Sequence, residues 1–227
     1  MLIVVFALII VSDLPQGYVT IVANAKAPVY YKGNKDCGGV SLTFNVYENA
    51  DIVNEMITLL KKRGAKATFY VGGCWADDNE ATVKRIVEEG FEIGNHGYFH
   101  KDHKKLSLED NLSEINACAK LVKAFTGVNM SLFAPPSGSY SGNCVEAAQK
   151  LGYKLVMWSK DTIDWRDNDV SLIVKRATNT LTSGDIILMH PKQHTLTALP
   201  EILDIIEQKK LKALTVTECL ALNSLGV

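Results

Sequence analysis

The stretch Phe91-Glu92-Ile93-Gly94-Asn95-His96-Gly97-Tyr98-Phe99-His100-Lys101-Asp102-His103 begins as a short apolar run and opens, through Gly and Asn, into a loop carrying three histidines. A β-rich run that gives way to a polar, Gly-containing loop is the local pattern of a strand whose end carries chemistry. His96 and His100, four residues apart, can turn their ring nitrogens onto one point, as a divalent-metal site requires. Taken alone, the pair reads more readily as loop histidines bonded to water or backbone, and it is the surrounding chain that reverses this reading.

Outward from this stretch the same alternation repeats. Residues 40–45 read as a strand. Residues 52–62 read as a helix, with Ile52, Val53, Met56, Leu59 and Leu60 in helical spacing and Gly64 closing it. Residues 66–71 form a second β-rich run, and Asn79 can cap a helix carrying Val83, Ile86 and Val87 up to Gly90. Downstream, Ser107-Leu108-Glu109-Asp110 resembles a capping box that opens a long helix ending at Gly127. Strands are predicted at 130–133, 154–158, 186–190 and 214–216, and helices at 141–151, 171–181 and 199–209. Strand followed by helix, about seven times over, calls for an α/β fold with a parallel sheet, and this length suits a closed or nearly closed barrel. The active face of such a barrel is the C-terminal end of its strands. Asn45, His96, His100, the Pro135-Pro136 turn, Asp161, Asp164, Trp165 and His190 all fall there.

Composition narrows the function classes. With 227 residues, a net charge of −1 and 47% hydrophobic content, the chain is one globular domain, expected to be monomeric, with no basic patch for nucleic acid. Five scattered cysteines without CxxC pairs indicate neither a thiolate zinc site nor a dense disulfide framework, and the odd number leaves at least one unpaired within the chain. The apolar run from Leu2 to Val11 is too short to span a bilayer. Asp13 and Pro15 end it, and Ala23-Asn24-Ala25 offers a small-residue cleavage pattern. Residues 1–25 are therefore expected to be a signal peptide or membrane anchor, although no Lys or Arg precedes the apolar run; a strand covering the domain is the alternative reading. Residues 26–39 read as a lead-in segment and 40–227 as the domain. The expected location is secreted or membrane-anchored, with membrane contact only through that anchor.

In order, the strand-end residues resemble the polysaccharide deacetylase superfamily, whose NodB-type domain is a distorted (β/α)7 barrel that hydrolyses N- or O-acetyl groups. The family block Asn-His-(Ser/Thr)-x-x-His is matched by Asn95-His96-Gly97-Tyr98-Phe99-His100, which implies that His96 and His100 are metal ligands. The run Trp158 to Trp165 implies that Asp164 orients the catalytic acid and that Trp165, with Pro136, walls a substrate groove. Ile187-Leu188-Met189-His190 implies His190 as that acid, with Leu188 lining a pocket for the acetyl methyl. The pairing makes chemical sense, because expelling an amine needs a proton and a His held by a carboxylate can supply one.

Two blocks depart from the family pattern. Thr-Phe-Asp-Asp-Gly appears as Thr43-Phe44-Asn45-Val46-Tyr47, so Asn45 stands at the general base and Val46 at a metal-binding aspartate; Arg-Pro-Pro-Tyr-Gly becomes Ala134-Pro135-Pro136-Ser137-Gly138, which removes the Arg that tethers the base. An amide has no useful basicity, and an isopropyl group cannot ligate a metal. This combination resembles deacetylase-like proteins associated with sporulation in Gram-positive spore formers.

Two functional readings follow. In the first, the chain is a metal-assisted hydrolase, most simply with zinc, acting on acetylated cell-wall glycans of peptidoglycan or chitin type through a base-deficient site. Glu48 or Asp161, or less directly Asp51, would then serve as substitute carboxylate, while His103, flanked by lysines, would be solvated. In the second, it is a catalytically silent glycan-binding or spore cell-wall structural protein. Loss of a positioned base removes roughly 10²–10⁴-fold in rate, but an Asp164 and His190 pair has no structural need to persist, which favours the first.

Overall fold

Residues 27–221 are described by the computed structural model, and the expected signal or anchor over 1–25 lies outside them. In chain order the strands are β1 (Val29–Tyr30), β2 (Gly39–Val46), β3 (Thr68–Val71), β4 (Glu92–Asn95), β5 (Leu132–Phe133), β6 (Lys154–Val156), β7 (Lys160–Asp161), β8 (Ile186–Met189) and β9 (Lys212–Leu214). The helices are α1 (Ala50–Lys62), α2 (Gly73–Asp78), α3 (Glu80–Glu88), α4 (Leu108–Thr126), α5 (Gly142–Lys150), α6 (Val170–Thr178), α7 (Gln193–Gln208) and α8 (Val216–Leu220). The strands pair in the order β1-β6-β5-β4-β3-β2-β8-β7, all in parallel, with β9 added to the start of β2. Among the described residues no pairing joins β1 to β7, so the sheet is a curled, incomplete barrel of the NodB (β/α)7 type.

Strand alternation sorts side chains into two layers. Phe44, Phe69, Val71, Phe133, Leu155, Ile187 and Met189 pack outward against buried helix residues such as Met56, Ile115 and Ile202. Their neighbours Tyr70, Leu132, Ala134, Val156 and Ile186 fill the interior of the curl together with Val216. Every residue of β2 is buried, as expected for a strand covered on both faces.

Most predicted elements fall within a few residues of their observed bounds, and the departures have local causes. The 214–216 strand is instead β9 followed by α8. Thr215 caps that helix through Glu218 N, and Glu218 returns a bond to Thr215 N, a full capping box. Helix α7 begins six residues earlier than expected and runs through Pro200, because burial of Ala198, Leu199, Ile202 and Ile206 outweighs the lost backbone bond. Asn79 sits at the start of α3, yet its side chain donates back to Trp75 O rather than capping. Ser107 caps α4 as expected, accepting from Asp110 N. The lead-in segment supplies β1, paired with β6, and Lys32 bridges to the buried carboxylate of Asp185 at 2.9 Å.

Phe44 is fully buried and stacks on Phe69 with ring centroids 5.0 Å apart. Phe44→Ala should lower unfolding stability by about 3–5 kcal/mol in denaturant titrations.

Candidate active site

A pocket of about 550 Å³ opens at the C-terminal ends of the strands, lined by Asn45, Tyr47, Glu48, His96, His100, Ser137, Trp158, Asp161, Trp165, Leu188 and His190. The sequence-predicted positions therefore gather at one mouth, with a few differences.

The end of β4 builds the first wall. Asn95 folds back on its own loop, its Oδ1 accepting from Gly97 N at 2.9 Å while its Nδ2 donates to Ile115 O of α4 at 2.8 Å. Glu114 of the same helix, buried, accepts from the backbone N–H groups of Tyr98 and Phe99 and pairs with Lys101 at 2.9 Å. One side chain of α4, Glu114, and one of its backbone carbonyls, Ile115 O, thus hold the loop that carries His96 and His100. His96 Nδ1 donates to Ala134 O at 2.7 Å, which leaves Nε2 with a lone pair for a ligand. Its ring lies 5.1 Å from that of His100, edge to face. Burial, and next the neighbouring His100, lower the His96 pKa to about 3, so its imidazole stays neutral, the form that binds metal. Burial also lowers that of His100.

β8 and the segment after β7 build the opposite wall. Asp164, buried, receives His190 Nδ1 on Oδ1 at 2.7 Å and both His190 N and Thr195 Oγ1 on Oδ2 at 2.7 Å. Burial would raise its pKa, but these donors, the His190 side chain foremost, carry it below the ordinary carboxylate value. His190 is thus held in one orientation with Nε2 free to face the pocket. Trp165 is 56% exposed beside it, and Leu188 lines the floor.

Asn45 lines the pocket, but Val46, one residue on, packs with the outward-facing core. Pro136 is buried in a single 3-10 turn, and the neighbouring Ser137, at φ 54°, faces the pocket in its place. Of the carboxylates offered as substitutes, Glu48 and Asp161 line the pocket but already hold partners, Glu48 pairing with Lys192 and Asp161 accepting from Ile163 N at 2.8 Å, while Asp51 lies in the first turn of α1 outside the lining. Among the described residues no three His, Cys, Asp or Glu side chains converge as a metal site. His96 and His100 are the side chains that could hold a divalent ion, and among the described residues no third such donor joins them.

His103 is not solvated as its lysine neighbours suggested. It is fully buried, hydrogen-bonded through Nδ1 to Asn111 Oδ1 at 2.7 Å and packed on Phe133. A Cβ at Gly97, which sits at φ +74°, would lie 2.8 Å from His103 Nε2. The left-handed backbone and the His103 ring together account for Gly at the position where the family pattern has a small hydroxyl residue. Tyr47, in the place of the family Gly, packs its ring 4.8 Å from that of His100. Sequence reading passed over Tyr47, and only its unusual bulk in that block signalled a role.

A curled parallel sheet with paired imidazoles on one rim and a carboxylate-held histidine on the other defines the class of NodB-type carbohydrate deacetylases. Residues 32–156 match the family model described as polysaccharide deacetylase, and the chain belongs to that family. It is 35% identical over 188 residues to the uncharacterised YlxY protein of Bacillus subtilis, covering 83% of this chain and 59% of that protein. It thus spans about three-fifths of that relative. It is 30% identical over 159 residues to the peptidoglycan-N-acetylglucosamine deacetylase PgdA of Listeria monocytogenes, covering 70% of this chain and 34% of that protein. The structure of BA3943, a CE4 family pseudoenzyme from Bacillus anthracis, superposes with a TM-score of 0.83 at 31% identity, covering 87% of this chain and 70% of that one.

With the His96 pKa near 3 in the folded chain and an ordinary value of 6.5 when unfolded, the unfolded state binds more protons between those limits. Unfolding stability measured in a chelator should therefore fall as pH drops from 6.5 toward 3. His96→Gln should make that slope shallower, and an unchanged slope would contradict the assignment.

Proposed function

We propose that the pocket binds an acetylated cell-wall glycan, of peptidoglycan or chitin type, and hydrolyses its acetyl group weakly through a base-deficient, metal-assisted site. The observation that carries this reading is the asymmetry of the two walls: His190 is held at 2.7 Å by Asp164, while among the described residues no third His, Cys, Asp or Glu joins His96 and His100 as a metal-holding group. His190 would protonate the leaving amine, Asp164 would hold its orientation, Trp165 would stack on a sugar ring and Leu188 would receive the acetyl methyl. His96 and His100 would hold the ion, zinc being the expected one, which when bound supplies Lewis acidity toward the acetyl carbonyl. Relatives named as peptidoglycan deacetylases support the substrate class. A cell-wall substrate implies an extracytoplasmic location, secreted or anchored, and the resemblance to sporulation-associated members suggests the spore wall.

A second reading, a silent glycan-binding protein, is favoured by the commitment of Glu48 and Asp161 to other partners and by the likeness to a pseudoenzyme. A mutant of that pseudoenzyme is described as having restored activity, which supports repair as the test. The unmodified chain should deacetylate N-acetylglucosamine oligomers weakly or not at all. Asn45→Asp together with Ala134→Arg should raise turnover by at least ~10²-fold, and either alone should do little, because base and tether act as a unit, whereas Val46→Asp, whose side chain faces the outer core, should add nothing. Robust activity of the unmodified chain that Glu48→Gln or Asp161→Asn abolishes would instead establish a relocated base.

Val46 is fully buried among apolar side chains. Val46→Asp alone should therefore lower the melting temperature, since a buried carboxylate without a partner is costly. Added zinc should raise the melting temperature of the unmodified chain if His96 and His100 bind it, and elemental analysis of chelator-free protein should find the metal.

A further inference from the structure

Cys37, in the loop entering β2, and Cys219, in the last turn of α8, are separated by 182 positions in the chain, yet their sulfurs lie 2.9 Å apart. A disulfide bond is about 2.05 Å long, so closing this pair takes less than about 1 Å of movement. The two segments already hold each other: Asn34 N donates to Cys219 O at 2.7 Å, and Gly33 N to Gly184 O at 2.7 Å. Gly33 passes so near α8 that a Cβ there would lie 2.9 Å from the Cys219 sulfur. The Ser183 hydroxyl, 3.6 Å from the Cys37 sulfur, completes the enclosure. Cys118 and Cys144 are buried within helices, and Cys74 is half-buried near the pocket, so none of these competes for either sulfur.

We propose that Cys37 and Cys219 are a modification site, oxidised to a disulfide that ties the lead-in segment to the C-terminal helix at the end of the barrel opposite the pocket. The residues around it precede β2 and β8, at the N-terminal ends of the strands, the face associated with stability rather than catalysis. Cys37 is the more exposed of the two. Partial burial would raise its pKa, but hydrogen bonds with Cys219, Ser183 and the backbone of Gly39 and Gly184 carry it below the ordinary thiol value. Burial, and next the bond to Cys37, push the Cys219 thiol up to about 12. This orders the exchange. The Cys37 thiolate attacks one sulfur of a small disulfide such as oxidised glutathione, breaking that S–S bond and releasing one thiolate. Cys219 then attacks the Cys37 sulfur of the mixed disulfide, releasing the second thiolate. Two electrons pass to the donor, which leaves as two thiols carrying the protons given up by Cys37 and Cys219.

The test incubates the full chain with oxidised glutathione, alkylates the denatured protein with N-ethylmaleimide and maps its peptides without reduction. Cys37 and Cys219 should appear in one cross-linked peptide, with Cys74, Cys118 and Cys144 alkylated. Dithiothreitol should then lower the melting temperature by at least ~5 °C, because the bond closes a loop of nearly the whole domain. Cys37→Ser should match the reduced protein and be insensitive to dithiothreitol. If that variant does not fold, the reductant dependence of the native chain decides alone. Alkylation of all five cysteines, a cross-link between other cysteines, or a melting temperature indifferent to reductant would overturn the proposal.

Discussion

Everything in this molecule hangs on β2 being covered on both faces. A strand with no solvent side must find partners for every backbone group within the protein, and β2 does so by pairing with β8, with β3 along its later residues and with β9 at its start. That central position brings the ends of β2, β3, β4 and β8 to one rim. Asn45, His96 and His190 meet there because their strands run in the same direction and stop at similar heights. The pocket is thus a by-product of parallel pairing.

The two rims of the pocket differ in how they are supported. The His190 side is pinned by a buried carboxylate whose oxygens take three donors, a fully satisfied network of the kind that resists drift. The His96 and His100 side is pinned from behind by Asn95, Glu114 and Ala134, each through a bond with a backbone group at one end, and among the described residues no third His, Cys, Asp or Glu joins the two histidines as a metal-holding group. Half of the machinery is therefore rigidly kept, while the other half retains its scaffold without its reactive carboxylates.

Sequence reading reached the α/β class, the order of the main strands and the membership of the pocket, because burial of alternating and helical faces leaves periodic traces. It did not reach β1, β7 or α2, which are only two to six residues long and carry no periodicity. It also missed that Val46 faces the outer core, since the effect of a one-residue offset depends on where the strand stops. His103 was misplaced for a similar reason: its neighbours Asp102 and Lys104 suggested water, and only the fold shows Asn111 and Phe133 enclosing it. The approach of Cys37 to Cys219 joins the two ends of the domain, and no local pattern encodes such a meeting.

Gly97 and His103 constrain one another across the loop. The left-handed backbone at residue 97 already disfavours a side chain, and the His103 ring, locked to Asn111, fills the space that one would need. A larger residue at 97 is therefore compatible with this loop only together with a smaller or displaced side chain at 103, so the two positions behave as a single unit in any redesign of the loop.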